Sequence, residues 1–341
     1  MVLEFKERAL LKLNLKLFLD YHFLREGCFV NVGSGQQFYD GQDMSLLLPD
    51  AEAHKILFGT TVGQVWQSPF REWVYESGVP VDVSNVTTSP IVSSGLYIEG
   101  AFRPTTDPTF GHTIDFLNGR IIFDSPQSLD LKVQGEFSYR EVRVDFEHRF
   151  NQQSREGYLE SKFTTNPLTS MQITYPSGAM YPWPAVFIEV DKRTAEPFEL
   201  GNRSLRRTDA VNLHIFALDD LTRDNIVDVL SAQDRKTVPL LDFNKVPLPL
   251  SGINNTLSNE YTPYQTLLRN EVTVTTVGSG VPIRYIANID SAVSQNQPSE
   301  EEFERAIVAY QVITYLNAPT TPLGNKFSPL RELPPLGDSA L

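Results

Sequence analysis

The sequence predicts a β-rich α+β protein, and three observations support this prediction. Aromatic residues make up 11% of the 341 residues, which favours strands with large packed surfaces. Residues 28–148 contain short apolar runs separated by Gly, Pro and Asn, a pattern typical of a sandwich or a barrel. Residues 184–243 contain two strand-like runs, a short helix-like run and a third strand-like run. We therefore expect an N-terminal helix, an inserted all-β sandwich-like or barrel-like domain, and a β-β-α-β domain.

The first predicted element is an amphipathic helix within residues 1–27. Leucines recur near the helical period with charged residues between them, and Gly27 is a typical helix end. These leucines are Leu10, Leu13, Leu17 and Leu24. We expect this wide apolar face to dock on a sheet of the same chain; packing on a neighbouring subunit is the alternative.

Residues 28–148 form the predicted all-β domain. Its strands are expected at residues 28–32, 96–102, 111–116, 120–123, 131–137 and 139–146. Asn118-Gly119 lies between two strand-like runs, and both central positions of a type I′ turn need positive φ. The dipeptide therefore predicts a tight hairpin at residues 118–119.

Residues 149–317 form the predicted α+β domain. Strands are expected at 184–190, 211–218 and 238–243, and a helix is expected from Asp220 to about Gln233. Asp219 and Asp220 precede or open this helix, where carboxylates cap the first turn and complement its dipole.

The last part of the chain is less regular in sequence. Residues 271–277 and 283–289 are predicted to be strands. Residues 299–302 resemble a capping box, but residues 307–316 are β-branched and aromatic, so we favour a final strand and keep a helix as the alternative. The Pro-rich residues 318–341 are expected to form an extended tail.

Composition excludes several classes of protein. The net charge is −13 and the pI is about 4.9, which argues against direct sequence-specific nucleic-acid binding, since phosphate neutralisation needs clustered Lys and Arg. Cys28 is the only cysteine, so the chain has no internal disulfide or cysteine-based zinc site and suits a reducing compartment. Charges and prolines interrupt every apolar stretch, and we expect neither a membrane span nor a signal peptide.

No motif of the sequence indicates catalysis. Gly33-Ser34-Gly35 and Gly278-Ser279-Gly280 are too short to cradle a phosphate, and the five histidines have no paired metal-ligand spacing. His214 lies in an apolar run and is expected to be a satisfied sheet residue. No GxSxG elbow is present. We therefore predict a protein that is not an enzyme and that uses no cofactor and no metal.

One basic cluster stands out in this acidic chain, between the first two strands of residues 184–243. It is either a solvated loop that balances the acidic surface, or a contact to an acidic neighbouring subunit or a charged lining of a lumen. The interface candidates of this region are Lys192, Arg193, Arg203, Arg206, Arg207, Asp219, Asp220 and Arg223.

The order of the elements resembles the tail-terminator and tail-completion proteins of long-tailed bacteriophages. The segments that carry the resemblance are LHIFALDDLTRDNIVDVLSAQ, a strand running into a short polar-capped helix, and GLYIEGAFRPTTDPTFGHTIDFLNGRIIFDSP, which looks like β-domains of phage virion proteins. Small terminators lack a domain like residues 28–148. The layer therefore stays open among a terminator, a neck protein, a tail-sheath-stabilising protein and another ring component.

The resemblance implies a structural role in the virion, after synthesis in the host cytoplasm. The expected partners are further copies of the chain, in a ring that is commonly sixfold, and neck, connector and tail-tube or sheath proteins. It implies no catalytic site and no cofactor.

The alternative hypothesis is a glycan-binding or hydrolytic β-protein of a virion, associated with a baseplate or fibre. Trp66, Trp73 and Trp183 motivate this hypothesis, because aromatic faces stack on sugars. The competing interpretation is that the tryptophans anchor cores and interfaces.

Overall fold

A computed structural model confirms that the chain is β-rich and of the α+β class. It describes residues 7–37, 41, 43–50, 60–80, 89–146, 184–197, 205–241, 263–265, 283–300 and 303–316. The strand predicted at residues 271–277, the tail at 318–341, Trp183 and Arg203 lie outside these ranges.

The described residues contain two helices and fifteen strands. The helices are α1 (Glu7–Arg25) and α2 (Asp220–Ser231). The short strands are β1 (Phe29–Val32), β2 (Leu46–Pro49), β3 (Val65–Gln67), β4 (Gly95–Ile98), β5 (Ala101–Pro104), β6 (His112–Asp115), β7 (Arg120–Phe123), β8 (Val133–Gly135), β9 (Phe137–Arg140), β10 (Arg143–Phe146) and β13 (Thr237–Leu241). The long strands are β11 (Ala185–Pro197), β12 (Leu205–Ala217), β14 (Ile283–Glu300) and β15 (Phe303–Leu316).

A six-stranded sheet has the order β10-β11-β12-β15-β14-β13. β10 is parallel to β11, and every other neighbouring pair is antiparallel. The strands predicted at 184–190, 211–218, 238–243 and 283–289 all lie in this sheet, and the predicted helix between the second and third is α2. Period-2 alternation of apolar residues explains why these strands were predicted correctly.

Two predictions at the end of the chain are settled by the same sheet. Residues 307–316 belong to β15, so the final strand is confirmed and the helix alternative is wrong. The capping box at residues 299–302 is also wrong, because β14 continues to Glu300, which pairs with Phe303 at the start of β15. The β-branched residues of this hairpin outweigh the helix-start pattern.

Both helices pack on the same face of the six-stranded sheet. Alternate residues of β11, β12 and β15 point to this face, and they form one core with α1 and α2. Members of this core include Val186, Ile188, Val211, Leu213, Val308, Val312, Leu11, Leu15, Ile226 and Leu230. The prediction that α1 docks on a sheet of its own chain is confirmed.

A seven-stranded sheet with the order β5-β4-β8-β2-β3-β7-β6, and the pair β1-β9, form the second core. β10 lies in the six-stranded sheet instead, although residues 143–146 fall inside the predicted 28–148 domain. The chain therefore enters the six-stranded sheet before residue 149.

The tight hairpin turn lies at a different dipeptide from the predicted one. Glu99 and Gly100 have φ of 50° and 78° and form the two-residue turn between β4 and β5, which divides the single strand predicted at 96–102. The predicted turn is wrong at Asn118. Residues 116–119 form a four-residue connection, and positive φ occurs at Gly119 but not at Asn118.

Local hydrogen bonds explain the longer connection. The Asp115 carboxylate accepts hydrogen bonds from the backbone N–H and the side-chain amide of Asn118, at 3.3 and 2.9 Å. Gly119 is needed for a second reason, because a Cβ there would lie 1.9 Å from the carbonyl oxygen of Phe70.

Candidate functional site

The predicted basic cluster is divided between two faces of the long strands. Arg193 and Asp209 are cross-strand partners on β11 and β12, and Arg207 lies two residues from Asp209 on the same face. The Arg207 Nε donates to Asp209 Oδ2 at 3.1 Å, and an Arg207 Nη donates to Glu7 of α1. Arg193 pairs with Asp209 as well, and lies 3.9 Å from the Glu7 carboxylate.

The centre of this ion network is buried, and the Arg193 and Glu7 side chains at its rim are partly exposed. Arg207 is 2% exposed and Asp209 is fully buried. Burial and the neighbouring Arg193 lower the pKa of Arg207, while Asp209 and Glu7 oppose that shift. The expectation of a loop offering Arg193 and Arg207 to a neighbour is therefore corrected: both arginines lie in strands and join them to the start of α1.

The other interface candidates differ in what they contact. Lys192 and Arg206 are exposed. Asp219 is the N-cap of α2 and accepts from the backbone N–H of Thr222 at 2.8 Å, which confirms the capping interpretation, and Asp220 lies in the first turn. Arg223 binds Asp224 and the Glu304 carboxylate of β15, the latter at 2.6 Å.

A second cluster of charges lies where α1 meets β9 and β10. Asp20 and Arg140 are both buried and lie 3.8 Å apart, and Glu72 lies 3.5 Å from Arg143. Burial raises the pKa of Asp20, although Lys16 and Arg140 lower it. Burial alone would lower the pKa of Arg140, but the surrounding acids raise it.

Glu76 belongs to this cluster and anchors a distant segment. Both of its carboxylate oxygens accept from the backbone N–H of Tyr264, at 2.8 and 3.1 Å. Burial raises the pKa of Glu76 to about 7, although Arg140 and the Tyr264 hydrogen bond lower it. A carboxyl with this pKa is a common catalytic feature; here its oxygens face a backbone donor, and the contact holds residues 263–265 against α1.

Sequence reasoning missed this cluster. Asp20, Glu76, Arg140 and Tyr264 are far apart along the chain, and no spacing unites them. The signal that was present is Asp20 itself, a carboxylate inside the apolar run of α1, because such a residue needs a buried partner.

The tryptophans favour the core interpretation over glycan binding. Trp66 and Trp73 are buried. Trp73 stacks on Phe137 with ring centroids 4.0 Å apart, and its indole N–H donates to the Phe70 carbonyl at 3.0 Å. Neither indole face is open to a sugar.

Histidines and acids elsewhere have local partners. His214 lies 2.8 Å from the Glu189 carboxylate on the neighbouring strand, which confirms it as a satisfied sheet residue. His112 contacts the Phe110 carbonyl at 2.8 Å, whereas Asp115 binds Arg120 at 2.7 Å, so these two form no acid–base pair. Among the described residues, no group of three potential ligands could hold a metal ion.

The long strands also create a surface that the sequence did not indicate. β14 has 18 residues, and the five-residue β13 pairs only with its beginning, from Ile283 to Asn288. Beyond Ile289, whose N–H donates to the Lys236 carbonyl at 2.9 Å, the outer edge of β14 has no partner strand among the residues that the structure describes.

Comparison with known proteins adds no relative. No family model matches the chain, and no curated protein matches it. In the described part of the chain, neither helix is long and apolar enough to cross a membrane.

Proposed function

We propose that the protein is a structural component of a tailed-phage virion that assembles into a ring at the neck or at the tail end. In this proposal it acts as a tail terminator or tail-completion protein that joins the head connector to the tail. Its partners are further copies of the chain, in a ring that is commonly sixfold, and neck, connector and tail-tube or sheath proteins. It works through protein–protein contacts, without catalysis or a cofactor.

The observation that carries the proposal is the arrangement of β11, β12, α2 and β13. This β-β-α-β unit is the part of the sequence that resembles tail-terminator proteins, and its three strands lie in one sheet, in which β15 and β14 separate β12 from β13. Long strands with an exposed edge suit a protein that functions by contact with other chains. The exposed Lys192 and Arg206 on an acidic chain supply charges that complement an acidic neighbouring surface.

Co-assembly tests this proposal directly. The purified chain is mixed with connector complexes and with tail tubes from the same virus, and the products are separated by sedimentation and imaged by electron microscopy. We expect the chain to co-sediment with one of them as a ring at the end of the particle. A chain that binds neither connectors nor tails would overturn the proposal.

A charge variant adds a control. Lys192→Glu/Arg206→Glu reverses two exposed charges, and we expect roughly tenfold weaker co-assembly if they face acidic groups. Lys132→Glu/Arg235→Glu makes the same charge change at two exposed cations outside β11 and β12 and serves as the matched control.

Trp66 and Trp73, the two described tryptophans that motivated the glycan-binding alternative, lie in a core and cannot stack on a sugar. We therefore do not propose this alternative.

A further inference from the structure

The outer edge of β14 from Asp290 to Gln297, here called the open edge, is accessible. β15 pairs with β14 on one side only. Asp290, Ser294, Gln295 and Asn296 are exposed, and the Val293 side chain is 63% exposed. Ala292 still packs against the core, so the exposure is that of the residues just named, and the strand has no described partner along its outer edge.

Between Ser291 and Gln297, the open edge lacks the features that protect an edge strand in a monomer. Natural edges carry Lys, Pro, a bulge or inward-pointing charges, because unpaired backbone groups otherwise template another chain. From Ser291 to Gln297 the sequence is SAVSQNQ, with no charge and no Pro. Register shifts of β14 mark both ends of this run, between Ile289 and Ser291 and between Gln297 and Glu300, and Asp290 and Pro298 flank it.

The opposite edge of the same sheet is protected. β10 pairs with β11 only at Ala185–Ile188, but the remainder of β11 has a register shift between Val190 and Arg193. Lys192 is exposed there, and the Asp191 carbonyl accepts a hydrogen bond from Arg8 of α1 at 3.2 Å. The strand ends at Pro197. Lys192, Pro197 and the Arg8 contact have no counterpart between Ser291 and Gln297, so within this sheet we consider that run of β14 for strand pairing.

We propose that the open edge pairs antiparallel with the open edge of a second copy of this chain, about a twofold axis near Ser294. Two six-stranded sheets then become one continuous sheet. A contact of this kind is isologous, so each residue of the edge meets its own counterpart or a near neighbour. Val293 lies opposite Gln295, Ala292 opposite Asn296, and Ser294 opposite itself.

The neutral charge of the edge permits a second copy as the occupant. The chain carries a net charge of −13, so most faces of two copies repel each other, and a charged edge would do the same. The run from Ser291 to Gln297 is neutral, and the pairing about Ser294 leaves Asp290 outside it. Seven opposed residues supply on the order of seven backbone hydrogen bonds, which suits a dimer that dissociates on dilution.

The pairing is independent of the proposed virion function, because a twofold contact closes with two copies. The test measures mass by light scattering and sedimentation equilibrium over a wide concentration range. We expect wild type to change from the chain mass of 38.5 kDa to twice that value. Ser294→Lys places two like charges opposite each other, and we expect at least roughly tenfold weaker dimerisation.

Two further variants make the test specific. Thr194→Lys adds the same charge to the protected edge, where Thr194 is exposed, and should dimerise like wild type. Ser294→Glu alone should be monomeric, but an equimolar mixture of Ser294→Lys and Ser294→Glu should regain the dimer mass, because residue 294 faces residue 294. Circular dichroism confirms that each variant is folded.

Three outcomes would overturn the pairing. The first is a wild-type monomer at every concentration, and the second is a Ser294→Lys dimer as tight as that of wild type. The third is a wild-type mass of six or more chains. If Ser294→Lys disrupts such a ring, the open edge makes a head-to-tail contact instead of a twofold one. If Ser294→Lys leaves the ring intact, the ring does not use the open edge. Co-assembly with connectors or tails, measured separately, decides the proposed function.

Discussion

Arg206 and Arg207 are adjacent on β12, and their side chains meet opposite environments. Strand geometry points successive side chains to opposite faces, so Arg206 reaches solvent while Arg207 is buried against Asp209 and Glu7. Arg207, Asp209 and Glu7 stabilise the fold only together, because a buried charge that loses its partner costs free energy. At this scale, residue type alone does not distinguish an interface residue from a structural one.

The first prediction concerns this pair of arginines. Arg207→Ala leaves the fully buried Asp209 with Arg193 as its remaining cation, and we expect a loss of about 3 kcal/mol in the free energy of unfolding. Arg206→Ala, the matched control, should change it by less than about 0.5 kcal/mol. Urea denaturation measures both, and equal effects would contradict the assignment of the two faces.

The second prediction concerns the pH dependence that Glu76 confers. Its pKa is raised by burial from 4.5 to about 7, so the folded state holds the proton more tightly than the unfolded state. Its stabilising contribution is therefore complete below about pH 4.5 and is lost as pH rises through about 7, with a total of about 3 kcal/mol.

Glu76→Gln removes this titration. We expect the variant to match wild type near pH 5 and to be more stable than wild type at pH 8, in urea denaturation at both pH values. Glu196→Gln changes an exposed carboxylate and should follow wild type at both. A Glu76→Gln protein that is less stable than wild type at pH 8 would show that the ionised carboxylate stabilises the fold.

At the scale of elements, α2 shows how a short helix is placed. Asp219 has an extended backbone and lies between the end of β12 and the start of α2. Its carboxylate accepts hydrogen bonds from both the backbone N–H and the hydroxyl of Thr222, each at 2.8 Å. These bonds lower the pKa of Asp219. Ile226 and Leu230 then anchor the inner face of the helix on the sheet, where Tyr310 donates to the Leu230 carbonyl at 2.6 Å.

The third prediction tests this cap. Asp219→Ala removes the acceptor for an otherwise unpaired N–H, and we expect a loss of about 1 kcal/mol in unfolding free energy. Asp219→Asn keeps an oxygen acceptor and should lose only a few tenths of that amount. If both variants lose the same amount, the charge rather than the hydrogen bond is what stabilises α2.

At the scale of the whole molecule, α1 joins the two β-rich parts. Its Asn14 side chain binds the backbone N–H of Leu241 at 2.8 Å at the end of β13, and Lys16 donates to the Val144 carbonyl of β10. Asp20 faces Arg140 of β9. One helix therefore contacts the six-stranded sheet along its length and the β1-β9 pair through a buried charge.

The fourth prediction tests this junction. Arg140→Met removes a buried cation that lies among acids including Asp20 and Glu76, and we expect a loss of about 3 kcal/mol or more at pH 8. The loss should be smaller at pH 5, because Glu76, whose pKa is raised by burial to about 7, is protonated there. Lys132→Met removes an exposed cation 3.9 Å from Asp43 and should change stability little at either pH.

Much of the local structure could be predicted, because its signals lie within contiguous residues. Alternation placed the strands at 185–190 and 211–217, and the leucine spacing placed α1. Turn chemistry was less reliable. Glu99, and not Asn118, adopts positive φ. The Glu99 backbone N–H donates to the Lys132 carbonyl at 3.0 Å and its carboxylate accepts from the Lys132 N–H at 2.8 Å, which stabilises this turn. Asp115 holds Asn118 in a longer connection.

The sequence by itself determined the β-rich α+β class, most of the strands, both helices and the capping role of Asp219. Only the tertiary structure decided that β15 lies between β12 and β14 and that Arg207 reaches Glu7 across 200 positions of the chain. It also decided that, among the described residues, only the beginning of β14 has a partner strand on its outer edge. The physical reason is range. Periodicity and capping act between residues a few positions apart, whereas strand order, buried ion pairs and exposed edges depend on which distant segments share the same core.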